Sequence, residues 1–206
     1  FKSMLMVCAG TGCVAADSLP IRDALQEEID KRGLSKDLRV VATGCNGFCA
    51  HGPICVVQPE GVFYEKLSAK DVPELLESHF EKGQHVERLM YHAEGSDKAV
   101  PLEKDIEFFA KQQSIALRNR GRIDPEDITD ALRYGAYTAL AKIRREKTAG
   151  EAVVDQIVRS GIRGRGGGGF PTGVKWRTCL EACTERGVAP YIVCNGDEGD
   201  PGAFMD

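Results

Sequence analysis

The sequence predicts an α/β chain in two parts, and three observations carry that reading. Short β-branched runs alternate with segments of helical period. The eight cysteines fall into two groups, five between Cys8 and Cys55 and three at Cys179, Cys183 and Cys194. Glycine-rich loops stand in both parts, around Cys8–Cys13 and Cys45–Cys49 in the first and at Gly164–Gly169 in the second. Hydrophobic residues at 42% and charged residues at 28% give the balance of a soluble globular protein. A formal net charge of −4 offers no basic surface to nucleic acid. No apolar run approaches the ~18 residues of a membrane helix, so no membrane insertion is expected. Phe1-Lys2-Ser3-Met4 lacks the pattern of a secretory leader, and the absence of an initial Met suggests a start upstream. Eight cysteines without an export signal argue for metal or redox chemistry in the cytoplasm rather than a disulfide framework.

The elements follow in order. Met4 to Val7 reads as a strand that ends at Cys8 and the turn Ala9-Gly10-Thr11-Gly12. Ser18 is placed to cap a helix with Pro20 in its first turn, and Ile21, Leu25 and Ile29 recur at helical spacing until Gly33. Leu38 to Thr43 is a second strand, and Ile54 to Val57 and Val62 to Tyr64 are two more. Ser68 to Asp71 resembles a capping box opening a helix with Val72, Leu75, Leu76 and Phe80 on one side. The order is βαββα. Residues 86–123 read as linker and lead-in, with a short helix from Glu103 to Ala110. From Asp124 the spacing predicts one helix to about Arg145, burying Ile128, Leu132, Ala136, Leu140 and Ile143. A further helix is predicted over Gly150 to Ser160, and Tyr191-Ile192-Val193 reads as a buried strand ending at a packed Cys194.

Cys8-x4-Cys13 and Cys45-x3-Cys49 are the candidate metal ligands. An iron–sulfur cluster needs thiolates converging from loops, and both pairs sit in glycine-flanked loops that let backbone N–H groups approach sulfur. Zinc favours a two-residue gap within each pair, which neither has. Buried structural thiols account for one or two of the four but not for two glycine-flanked pairs. Cys55 lies in an apolar strand pattern and is assigned to the core. His51 could replace a thiolate, but with four cysteines present it is read as a loop contact. This spacing, on a βαββα frame, resembles the thioredoxin-like [2Fe–2S] ferredoxins over roughly residues 3 to 82. The resemblance implies a [2Fe–2S] cluster on Cys8, Cys13, Cys45 and Cys49, in a domain spanning 1–85.

Gly164-Arg165-Gly166-Gly167-Gly168-Gly169-Phe170-Pro171-Thr172 is the second signal. Glycines expose backbone N–H groups, which suits a phosphate or a flat ring, and a helix starting near Thr172 adds its N-terminal dipole. Arg165 and Lys175 flank the run with positive charge. A flexible linker has similar glycine content but seldom continues into Phe-Pro-Thr-Gly and Lys-Trp. Further on, Asn195, Asp197, Glu198 and Asp200 form an acidic loop able to bond hydroxyls and ring nitrogens. The two loops resemble the flavoprotein subunit of NADH dehydrogenases and of NAD-linked soluble hydrogenases, from near Asp124 to Asp206. That resemblance implies FMN contacts by Gly164, Arg165, Gly166, Lys175, Asn195, Asp197 and Glu198, with Gly167, Gly168 and Gly169 completing the loop. It places Phe170 against the nicotinamide or adenine, and Asp200 where the respiratory enzymes have Glu. Asp200 and Gly168 lean towards the hydrogenase-type relatives, and 124–206 reads as an incomplete flavin domain.

The implied function is electron transfer between NAD(P)H, FMN and iron–sulfur clusters. The chain is expected to act as part of a multisubunit hydrogenase or NADH dehydrogenase, alongside other iron–sulfur subunits. No side chain is assigned as a general acid or base, since the cofactors carry the chemistry. The alternative is a non-enzymatic electron carrier whose second part only docks on partner subunits.

Overall fold

The computed structural model describes residues 1–115 and 117–195. It divides into two compact units, Phe1–Gly135 and Ala136–Asp206.

In the first unit, β1 (Ser3–Cys8) leads through a short α1 (Thr11–Ala15) into α2 (Ser18–Lys31). β2 (Leu38–Thr43), β3 (Cys55–Gln58) and β4 (Val62–Tyr64) complete a sheet of order β2-β1-β3-β4. β1 and β2 are parallel, with Met6 opposite Val41 and Cys8 opposite Thr43. The other pairings are antiparallel. The Ser68–Asp71 capping box forms and opens a helical segment comprising a 3-10 turn (Ala69–Asp71), α3 (Val72–Leu75) and a wider π-type continuation (Leu76–Glu81).

Alternation along the strands builds a core on each face. Leu5 and Val7 point to one side, where Ile21, Leu25 and Ile29 of α2 and Leu75 and Leu76 cover them. Cys55 is buried on this face, as its apolar context implies. Met6 and Cys8 point to the other side with Val41, Val56 and Phe63, an apolar surface that also needs a cover.

That cover comes from the segment expected to be linker. β5 (Tyr91–His92) and β6 (Ala99–Val100) form a small ladder, and a 3-10 turn (Glu103–Asp105) leads into α4 (Glu107–Ala110). Ile106 is 1% exposed within the second core. The same segment lines the open edge of β4: Phe63 N–H donates to the Pro101 carbonyl at 2.8 Å, and Glu65 N–H to the Leu89 carbonyl at 2.8 Å. A linker reading missed this because polar residues dilute the apolar ones; the burial of Ile106 beneath the sheet gives the segment its place.

The helix expected from Asp124 to Arg145 is instead two helices, α5 (Ile128–Arg133) and α6 (Thr138–Glu146). Gly135 (φ 88°) and Tyr137 (φ 62°) take left-handed conformations between them and break the hydrogen-bond ladder. The stripe expected to be buried is consequently open, with Ile128, Leu132 and Leu140 all exposed. Arg39 of β2 ties the start of this region down, bonding Asp124 at 2.6 Å and Asp127 at 3.2 Å.

In the second unit, α7 (Gly150–Ser160) closes at the left-handed Gly161, as expected, and α8 (Thr172–Arg186) packs against it. A Cβ on Gly173 would lie 2.5 Å from Val158 Cα, so the two helices meet where only glycine fits. Tyr191-Ile192-Val193 is not a buried strand. These residues are exposed coil, because no neighbouring strand among the described residues takes up their backbone hydrogen bonds, and Cys194 is likewise exposed.

Two outcomes test this fold. Ile106→Ala should destabilise the chain by about 2–5 kcal/mol in urea unfolding; an unchanged midpoint would mean that the segment does not pack on the sheet. His79, buried beside Tyr64 Oη (2.7 Å) and Glu60 (3.2 Å), has its pKa lowered from 6.5 chiefly by burial, with Glu60 opposing and His85 assisting. The folded state therefore prefers neutral His79. This contribution is complete above the unfolded value near 6.5 and is lost as pH falls through the lower folded value. Denaturation curves recorded below pH 6.5 should show a shallower pH slope for His79→Gln than for the wild type.

Candidate cluster site and glycine loop

Parallel pairing decides where the four cysteines meet. Because β1 and β2 run the same way, Cys8 and Thr43 end side by side, and the loops that follow leave from one end of the sheet. The first loop carries Cys8 and Cys13; the second carries Cys45 and Cys49, the latter opening a 3-10 turn (Cys49–His51). All eight cysteines are free thiols.

The four side chains form one interacting group. Cys8 is linked to Cys13 and Cys45, Cys13 is also coupled to Cys49, and Cys45 to Cys49. The Cys8 thiol is drawn down to about 6, first by the hydrogen bond from Cys13 and against its burial, with the backbone N–H groups of Asn46 and Gly10 assisting. Cys13 moves the opposite way, raised by that same hydrogen bond, by burial and by the negative charge on Cys8. Cys45 is raised by burial, opposed by the Gly47 N–H, which donates to its Sγ at 3.3 Å. The Cys8 thiolate is stabilised, and those of Cys13 and Cys45 are resisted. A cationic iron centre removes that resistance, so the donor set fits an iron–sulfur group. Cys55 stands apart, its thiol pushed up to about 12 by complete burial.

Three glycines press on the sulfurs. A Cβ on Gly10 would lie 2.8 Å from Cys45 Sγ, one on Gly52 2.8 Å from Cys13 Sγ, and one on Gly12 3.3 Å from Cys49 Sγ. Gly47 (φ 77°) makes the turn inside the second loop. Among the described residues no three His, Cys, Asp or Glu side chains gather as the donors of a single ion do; a binuclear cluster asks only two thiolates of each iron.

Aromatic rings roof the second loop. Phe48 stacks on His51 at 4.0 Å and on Phe108 at 4.6 Å, with Tyr91 and Phe109 also beside it. His51 is engaged by Glu65 at 2.7 Å, which makes it a loop contact. Two residues of this neighbourhood escaped the sequence reading. Asn46 is 1% exposed, and its amide donates to Glu103 at 3.3 Å. Burial raises the Glu103 carboxyl, while Arg120 and Arg122 pull it back. The signal available was the apolar alternation around Leu102 and Ile106, which marks the segment as packed and not free.

In the second unit the glycine run is a closed loop. Gly164 N–H donates to the Phe170 carbonyl at 2.9 Å, Arg163 donates to the Gly169 carbonyl at 3.0 Å, and Thr172 N–H to the Ile162 carbonyl at 3.0 Å. Gly167 and Gly169 have positive φ, and a Cβ at Gly166, Gly167, Gly168 or Gly169 would meet only open space. Arg165 and Phe170 are exposed at the loop, and Lys175 lies in the first turn of α8, which carries no acidic residue there. Lys175 also lines a cavity of about 600 Å³ with Trp176, Tyr191 and Ile192. The structure thus gathers Gly164–Phe170 and Lys175 at one helix start. Asn195 is exposed coil, and Asp197, Glu198 and Asp200 lie outside the described residues.

Comparison with known proteins bears on both units. The family model described as thioredoxin-like [2Fe-2S] ferredoxin matches residues 2–79. A 2Fe-2S ferredoxin of Clostridium pasteurianum is 48% identical over 77 residues, which are 37% of this chain and 76% of that protein. The chain belongs to the thioredoxin-like [2Fe–2S] ferredoxin family. Its ferredoxin unit is also similar to the solved thioredoxin-like [2Fe–2S] ferredoxin of Aquifex aeolicus, with 31% identity and a TM-score of 0.41 over 42% of this chain and 87% of that one. The Nuo51 FMN-binding domain model matches residues 157–206, covering the glycine loop and α8. The NADP-reducing hydrogenase subunit HndC of Solidesulfovibrio fructosivorans is 51% identical over 96 residues, 47% of this chain but 18% of that subunit. The chain therefore spans under a fifth of the length of that relative. No helix among the described residues is long and apolar enough to cross a membrane.

The glycine contacts give a direct test. Gly10→Ala should sharply reduce iron incorporation into the ferredoxin unit, because its Cβ would meet Cys45. Gly44→Ala, with nothing within 4 Å of its Cβ, should load as the wild type does. Iron and sulfide assays on reconstituted protein, with circular dichroism to confirm folding, check both.

Proposed function

We propose that this chain is an electron-transfer piece of an NAD(P)H-linked oxidoreductase of the hydrogenase or NADH dehydrogenase type. The observation that carries it is the four-thiol cradle, formed at one end of the sheet in a chain whose residues 157–206 match an FMN-binding domain. Cys8, Cys13, Cys45 and Cys49 would hold a [2Fe–2S] cluster, and residues 1–85 constitute its domain, with 86–123 as a packed extension. From 124 onwards the chain serves the flavin. Gly164 to Gly169 and Arg165 would lie along FMN, with Lys175 supplying charge from the start of α8. Phe170 would face the nicotinamide or adenine of NAD(P)H, and Asn195, Asp197, Glu198 and Asp200 would bond polar groups of these ligands. When bound, flavin takes a hydride and the cluster exchanges single electrons.

The protein's own groups do the rest. N–H donors from Gly10, Asn46, Gly47 and Ile54 address the sulfurs of Cys8, Cys45 and Cys13, which favours the electron-rich state of a cluster held there. The rings of Tyr91 and Phe109 pack beside Phe48 of the second loop, while Cys49 itself is exposed. The setting is cytoplasmic, within an assembly of other iron–sulfur subunits.

Anaerobic reconstitution with iron and sulfide tests the reading. The expected result is equal iron and sulfide, with a paramagnetic signal on reduction. Cys→Ser at Cys8, Cys13, Cys45 or Cys49 should lose or alter that signal, while Cys55→Ala should keep it. Zinc without iron would overturn the assignment. NAD(P)H oxidation by the chain with added FMN and an artificial acceptor would exclude a carrier-only role.

A further inference from the structure

We infer that Glu103, from the segment beyond the matched ferredoxin residues, is a positioning residue for the cluster site: it holds the Asn46 side chain, and with it the turn in which the Gly47 N–H donates to Cys45 Sγ. This rests on the four-thiol ligand assignment and deepens it.

The path is short and continuous. Asn46 follows the ligand Cys45 directly and is 1% exposed. Its Nδ2 donates to Glu103 Oε1 at 3.3 Å, while its Oδ1 has no partner. Among the described residues, the Glu103 bond is thus what fixes a buried amide that could otherwise turn. The N–H of the next residue, Gly47, donates to Cys45 Sγ at 3.3 Å, so Asn46 stands between a ligand and the donor that addresses it. Glu103 is itself anchored: its N–H donates to the Gly61 carbonyl at 2.9 Å, and Ile106, three residues on, is sealed in the core. Glu103 is half-buried, and Arg120 and Arg122 favour its charged form against that burial. The family model ends at residue 79, so the device belongs to the extension.

An N–H···S bond favours the reduced cluster, so losing it makes the potential more negative; losing a nearby negative charge does the reverse. The two explanations differ in sign. Redox titration followed by electron paramagnetic resonance on the reconstituted full chain should show a more negative midpoint for Glu103→Ala. The fall in the reduction equilibrium constant should be up to about tenfold, or about 59 mV for one electron. Asn46→Ala should shift it the same way, and the double variant little further. Glu103→Gln, which keeps an acceptor for the amide, should not become more negative. Positive shifts in both Glu103 variants would overturn the inference in favour of charge, and so would an unmoved potential in both Ala variants. If Glu103→Ala fails to load, Asn46→Ala decides in the same way. A wild-type chain that takes up no iron would overturn the ligand assignment and this inference with it.

Discussion

Thiols gathered this closely resist joint ionisation unless something positive joins them, as the raised Cys13 and Cys45 show, and the first unit is organised around that constraint. Cys8 is drawn towards the thiolate by its neighbours, and Cys13 is held back by the same contact. Such a group tends to spread apart or lose protons to a metal. The fold prevents the first outcome. Two parallel strands bring both loops to one end of the sheet, and Gly10, Gly12 and Gly52 leave no side-chain volume between the loops. Larger residues at those three positions would push the sulfurs apart before any metal arrived.

The sheet transmits this arrangement to the rest of the unit. Its two apolar faces have different roles. One is closed by α2 and α3 and anchors Leu5 and Val7, a packing of ordinary depth. The other carries Met6, Cys8, Val56 and Phe63 and is closed by Ile106 and the rings around Phe48. Ligand loop and core therefore share one roof, with Phe48 joining the second loop to the residues that stabilise the fold. In the second unit the same logic operates at a smaller scale, where Gly173 lets α8 reach α7 and so fixes the start of α8 beneath the glycine loop.

Much of this was legible in the residues. The strands, the capping box at Ser68, the helix closing at Gly161 and the core role of Cys55 follow from periodicity and local caps, which act over a few residues. The reading failed where tertiary context decides. The stripe from Ile128 to Ile143 has helical spacing, but Gly135 and Tyr137 break it with left-handed turns that spacing does not register. Tyr191-Ile192-Val193 has strand composition, yet composition cannot supply a neighbouring strand. At the site the thiols were visible because cysteine spacing is chemically restrictive. Asn46 and Glu103 were not, since a single amide and a single carboxyl 57 residues apart have no local pattern.

The segment bonded along β4 has one more consequence, for how the chain meets others. A sheet of order β2-β1-β3-β4 has two outer strands, each a row of unsatisfied donors and acceptors on which another chain could add a strand. The carbonyls of Leu89 and Pro101 occupy that row on β4 from within the same molecule. Association by strand addition is thereby discouraged at the β4 margin. On that side, contacts with other chains rest on side-chain surfaces, whose shape and charge can select a partner in a way that backbone pairing cannot.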